Sequence, residues 1–198
     1  MTGKNAKTFL QAGKTIRFML VVFLFAAFLV YGGCKKKEEP AHKGGAGPGV
    51  CTIYDKLPEG IAKVVEVNYE GKVKLLGITV NKLSKDQLKV SYFWQILGDP
   101  GAYNKVFVHF TDSNNKSLFQ DDHTLCQRES FGDLKGKFIQ ETDMVNFPSD
   151  AAGKEISVKI GLYTPSGIGA SGRLKIESAG WVPLDEQNTR AIVEKFNL

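Results

Sequence analysis

Apolar residues recur at every second position through two stretches of this chain, a period that fits a β-strand and not a helix. In residues 88–96, Leu88, Val90, Tyr92, Trp94 and Ile96 share one face, with Lys89, Ser91 and Gln95 on the other. In residues 155–163, Ile156, Val158, Ile160 and Leu162 oppose Glu155, Ser157 and Lys159. Shorter β-like stretches lie at 62–69, 73–80, 105–111, 117–122, 137–144 and 173–176. Turn-forming clusters such as Glu70-Gly71, Asp99-Pro100-Gly101 and Asp112-Ser113-Asn114-Asn115 separate them. Many short strands at this spacing predict an all-β domain, an antiparallel β-sandwich with one solvated face per sheet. Only residues 185–196 read as helix. Ile192, Val193 and Phe196 at i, i+1 and i+4 predict a short amphipathic C-terminal helix on the sandwich.

The N-terminus has a different character. Residues 1–17 carry only basic charges, and residues 18–31, FMLVVFLFAAFLVY, are an unbroken apolar run. As a helix this run spans roughly 21 Å, short of the roughly 30 Å hydrocarbon core of a bilayer. A basic start, a short apolar core and the small residues Gly32 and Gly33 describe a secretory signal. With Cys34 following at once, Val30-Tyr31-Gly32-Gly33-Cys34 resembles the lipobox of bacterial lipoproteins, from which Tyr31 departs in place of an aliphatic residue. The resemblance implies cleavage before Cys34 and an acyl (palmitate-type) anchor on it, holding the protein to a membrane. Lys35 after the cysteine, where that family's inner-membrane members tend to have Asp, leans toward an outer membrane. The alternative is an uncleaved signal anchor.

Residues 34–50 are charged and then Gly/Pro-rich, and they read as a flexible tether that includes His42. Three segments result: a signal at 1–33, a tether at 34–50 and one domain at 51–198. The formal net charge of +5 sits in the first two. Lys4, Lys7, Lys14 and Arg17 face no acid there, and Lys35, Lys36, Lys37 and Lys43 outnumber Glu38 and Glu39. The domain is left close to neutral, which argues against a nucleic-acid partner. Cysteine usage fits export. Lipidation of Cys34 resolves the odd count of three, and Cys51 and Cys126 are then free to pair. Closing that loop of about 75 residues contributes roughly 4–5 kcal/mol in the chain-entropy model. Two unpaired thiols remain the alternative.

A second resemblance rests on an ordered set of residues. Trp94, then Val106-Phe107-Val108-His109-Phe110-Thr111-Asp112, Gln120-Asp121-Asp122, Gly161-Leu162-Tyr163 and Gly172-Arg173-Leu174 look like an exported β-sandwich module. That module occurs at the C-terminal end of some bacterial membrane glycosyltransferases and in standalone envelope proteins. The resemblance covers roughly residues 72–176. It implies an accessory Ig-like or carbohydrate-module-like sandwich. This chain has no multi-spanning catalytic part, so transferase activity is not implied.

Motifs that carry chemistry are sparse. Gly167-Ile168-Gly169-Ala170-Ser171-Gly172 matches the dinucleotide pattern G-x-G-x-x-G, but a strand rather than a helix is expected after it, so it reads as a hairpin loop. His109, Asp112, Asp121, Asp122 and His123 are the only clustering of metal-ligand types, suited to calcium more than zinc, and no metal-binding spacing supports it. Asp112 is explained as a turn residue and His109 as a hydrogen-bonded structural histidine. No nucleophile elbow accompanies the histidines, so no catalytic residue is assigned. Among the aromatics, Tyr92 and Trp94 read as core. Phe93, on the polar face of its strand, is the one candidate for stacking on a sugar. The expected role is a non-enzymatic, lipid-anchored envelope protein without a cofactor, presenting its sandwich to another envelope protein or glycan. The alternatives are a glycan-binding accessory module and, behind it, a divalent-metal-binding or hydrolytic domain.

Overall fold

The computed structural model describes residues 49–198. The expected signal, Cys34 and nearly all of the tether lie outside the described residues. In chain order the strands are β1 (Val50–Tyr54), β2 (Lys63–Tyr69), β3 (Val73–Lys82), β4 (Gln87–Ile96), β5 (Lys105–Thr111), β6 (Ser117–Gln120), β7 (His123–Thr124), β8 (Phe138–Asn146), β9 (Glu155–Tyr163), β10 (Ile176–Ser178) and β11 (Ala191–Asn197). They form two antiparallel sheets. One has the order β1-β8-β4-β3-β2-β10; the other runs β11-β9-β5-β6, with β7 also pairing β5. Val50, expected as the last tether residue, is already paired with Thr142.

The alternation places the core. Leu88, Val90, Tyr92, Trp94 and Ile96 of β4 and Ile156, Val158, Ile160 and Leu162 of β9 are buried and belong to one hydrophobic cluster fed by both sheets. The two sheets are sandwich-like, and the Tyr69 hydroxyl of β2 donates across the layer to the Ile160 carbonyl of β9 at 3.1 Å. On β3 a register shift between Leu75 and Gly77 resets the parity, so that Val73 and Leu75, then Ile78, all face inward. Gly77 and Gly161 sit where a side chain has no room. A Cβ on Gly161 would lie 2.3 Å from the Phe107 ring and 2.4 Å from the Thr189 carbonyl.

The expected C-terminal helix is a correction. Among the described residues there is no α-helix, only short 3-10 turns. Residues 185–190 form a turn in which Asp185 Oδ1 accepts the Thr189 and Arg190 N–H groups, at 2.9 and 3.0 Å. The chain then runs antiparallel to β9 as β11. A register shift between Ile192 and Glu194 explains the misreading. It sets apolar residues side by side at 192 and 193, and the resulting i, i+1, i+4 spacing mimics a helix face. The glycine-rich motif closes a loop between β9 and the Tyr163–Arg173 bridge, with Gly167 packed on Gly172 so closely that a Cβ would lie 2.1 Å from its Cα.

Candidate functional site

The expected strand at 117–122 is interrupted, and the interruption builds a site. His109 pairs with Gln120 and Val106 with His123, so β6 and β7 keep one register against β5 across Asp121 and Asp122. Residues opposite one another share a face. Asp121 and His123 therefore face inward with Val108 and Val106, while Asp122 faces outward. Asp121 N–H donates to the Val108 carbonyl at 2.9 Å, as the ladder requires. The return bond is diverted: Val108 N–H donates to Asp122 Oδ1 at 3.1 Å. The Asp121 carbonyl is thereby released to His123 Nδ1, 2.8 Å away.

Strand β8, on the facing sheet, supplies the other half. Its inward row is Ile139, Glu141, Asp143 and Val145, all buried. Two carboxylates thus occupy positions that a sandwich normally fills with aliphatic side chains. These two and Asp121 across from them have different partners. Glu141 accepts Trp94 Nε1–H at 2.8 Å and the Cys126 backbone N–H, and its Oε2 lies 3.5 Å from His123 Nε2. Asp121 Oδ2 accepts the Tyr92 hydroxyl at 2.8 Å. Asp143 accepts no hydrogen bond among the described residues; its contact with His123 Nδ1 is 3.9 Å.

Strand β1 and the disulfide frame the opening. Cys51 pairs in register with Glu141 and is joined to Cys126, with Cα atoms 5.2 Å apart. Cys126 and Gln127 are left-handed, at φ 49° and 52°, a conformation that aims the Cys126 N–H at Glu141. Gly49 stands one step beyond the Val50–Thr142 pair, against Asp143. A Cβ there would lie 1.8 Å from Asp143 Oδ1. Beside this contact lies a half-open pocket of about 290 Å³, lined by Gly49, Cys51, Asp121, His123, Glu141 and Asp143 among others.

Both ring nitrogens of His123 face acceptors, an arrangement that requires the imidazolium. Burial opposes that charge, but the Glu141 hydrogen bond and the charges of Glu141, Asp121 and Asp143 outweigh it and raise the pKa to about 10. Burial, reinforced by Asp121, pushes Asp143 up to about 6. Burial also raises Asp121 against the pull of His123 and Tyr92. Among the described residues the pocket is an acidic enclosure around one cation, His123.

Four of the five sequence candidates are divided between the faces of one sheet, and the fifth, Asp112, lies in a turn. Asp121 and His123 enter the pocket. His109 lies on the outer face, where its Nε2 sits 3.1 Å from Gln120 Nε2 and 3.8 Å from Asp122 Oδ1. Burial, with Arg190, Arg173 and Lys159, lowers its pKa to about 4 and keeps it neutral. Asp112 caps a turn, its Oδ1 accepting Asn114 and Lys116 N–H. Phe93 is a correction: at 1% exposure it has no face to offer a sugar. Among the described residues Trp181 is the exposed aromatic, at 65%, with Lys63 Nζ 5.4 Å from its ring. Glu141 and Asp143 were not among the candidates, although their i, i+2 spacing between Ile139 and Val145 is the signal that places them inside. No family model, curated protein or solved structure matches this chain.

Proposed function

We propose that this chain is a lipid-anchored, non-enzymatic binding protein of the cell envelope, whose Ig-like sandwich takes a positively charged group of another envelope component into the acidic pocket. The single observation behind the binding role is the inward row of β8. Glu141 and Asp143 are buried opposite Asp121, while the one neighbouring cation among the described residues, His123, leaves Asp143 without a hydrogen-bond donor. Desolvated carboxylates cost stability unless paired, and a site that leaves one with no hydrogen bond and a single long ion contact suits a cationic ligand. The anchor rests on Cys34 and the lipobox resemblance. The sandwich type rests on the glycosyltransferase-associated module.

The test is thermal melting of the full chain in detergent with amine-bearing glucosamine oligomers and lysine-containing peptides, each against its N-acetylated form. The expected result is a rise in melting temperature with the free amines alone, absent in Asp143→Asn. No shift, or equal shifts with acetylated ligands, would contradict the pocket's role. Mass spectrometry of the membrane fraction tests the anchor separately: an acylated N-terminal Cys34 is expected, and recovery of residues 1–17 in the mature protein overturns it. The exposed Trp181 favours a second reading, glycan binding through one aromatic platform. Binding of neutral envelope saccharides that is lost in Trp181→Ala would support it.

A further inference from the structure

The geometry points to a divalent-cation site at the open side of this pocket, with Asp121, His123 and Asp143 as side-chain ligands and Glu141 as the positioning residue. The inference rests on the acidic-pocket reading and adds a second cationic ligand for the same carboxylates. One atom from each of Asp121, His123 and Asp143 lies within 4.8 Å of the others. His123 Nδ1 is 3.8 Å from Asp121 Oδ2 and 3.9 Å from Asp143 Oδ2. The Asp121 carbonyl, 2.8 Å from the same nitrogen, is a fourth donor on that side. Neighbouring ligands around an ion with bonds of about 2.1 Å stand roughly 3.0–3.4 Å apart, so each carboxylate needs to close on His123 Nδ1 by roughly 0.4–0.9 Å. Carboxylates reach that by side-chain rotation, since the pocket is half open.

Two observations separate this cluster from a chance meeting of acids. Asp143 is nine-tenths buried, its side chain 7% exposed, and it accepts no hydrogen bond among the described residues. Among the described residues its one ionic contact is the 3.9 Å approach of His123 Nδ1, and the carboxylate lines the pocket. The other observation is the support behind His123. Its far nitrogen, Nε2, faces Glu141 Oε2 at 3.5 Å, and Glu141 is itself held by Trp94 Nε1 and the Cys126 N–H. A metal-ligating histidine commonly donates its other N–H to a carboxylate, which fixes the tautomer and turns the bare nitrogen to the ion. Here that chain runs from Trp94 through Glu141 to His123, and it points Nδ1 at the two aspartates. On ion binding the Nδ1 proton passes to solvent, and the ion replaces the imidazolium as the charge balancing the carboxylates. The imidazole in the set favours a borderline ion of the Zn²⁺ or Mn²⁺ class over Ca²⁺, whose sites are built from oxygen.

The test is calorimetric titration of Zn²⁺, Mn²⁺ and Ca²⁺ separately into the full chain in detergent, after EDTA treatment and its removal. One ion per chain is expected for Zn²⁺ or Mn²⁺, with weaker or no binding of Ca²⁺. Asp143→Asn is expected to weaken binding at least tenfold while melting no lower than the parent in EDTA. Glu141→Gln is expected to weaken it roughly 10–100-fold, the range for a lost outer partner. Absence of binding by all three ions to a folded parent overturns the inference, as does binding that Asp143→Asn leaves unchanged. If the ions fail while amine-bearing ligands still distinguish parent from Asp143→Asn, the cation site falls and the acidic-pocket reading stands.

Discussion

Trp94 Nε1–H donates to Glu141 Oε2 at 2.8 Å inside the layer between the sheets, tying a core aromatic of β4 to a carboxylate of β8. The bond crosses from packing to chemistry: the ring fills the core and its one polar atom holds the residue behind His123. Trp94→Phe keeps most of the volume and removes the donor. The expected cost is about 2–3 kcal/mol in a denaturant titration, the range for a hydrogen bond to a charged acceptor plus a small cavity. Ion affinity is expected to fall as well, because Glu141 loses its orientation.

The disulfide acts on stability and on the site together. Cys51 is the cross-strand neighbour of Glu141, and Cys126 presents its N–H to the same carboxylate. Replacing both cysteines by Ala is expected to lower unfolding free energy by about 4 kcal/mol. It also frees a left-handed turn that packing alone does not favour. Equilibrium unfolding of the double variant checks the first effect, and its ion titration the second. A variant as stable as the parent would place the constraint elsewhere.

Stability in EDTA is expected to fall on the alkaline side. His123 has a folded pKa near 10 against an ordinary value of 6.5, so the folded state holds a proton that the unfolded chain releases. That contribution is fully present below about 6.5 and is lost as pH rises through about 10. The partners responsible are Glu141, Asp121 and Asp143. Midpoints of denaturant unfolding measured from pH 7 to 10 are expected to decline in the parent and to flatten in His123→Gln.

Gly49 offers a change that touches the pocket and spares the core. A Cβ there would lie 1.8 Å from Asp143 Oδ1, so Gly49→Ala forces either the carboxylate or the strand end to shift. Ion or amine binding is expected to drop at least tenfold. The melting temperature is expected to change by only a few degrees, since residue 49 sits at the end of an edge strand. Unchanged binding would show that Asp143 is not where the ligand enters.

The strands that carry the core were legible because their period is unbroken. β4 and β9 hold five and four inward apolar residues in strict alternation, and each appears as read. Where a bulge breaks the count the reading fails, as with Ile192 and Val193 in β11. Half of the site was also legible: Asp121 and His123 stood out as ligand types. The other half was hidden because Glu141 and Asp143 run against the expectation that inward positions are apolar. Their meeting with Asp121 and His123 is a relation between two sheets, which no local spacing encodes. The division of His109 from His123 depends on strand parity, visible only once the β5 register is known.

The most direct measurement of the central claim is an anomalous difference map from a crystal of the folded domain soaked in Mn²⁺. One peak is expected inside the pocket, about 2.1–2.3 Å from a carboxylate oxygen of Asp121 and of Asp143 and from His123 Nδ1. No peak there in this soak or in a parallel Zn²⁺ soak, or metal only on surface carboxylates away from β8 in both, would contradict it.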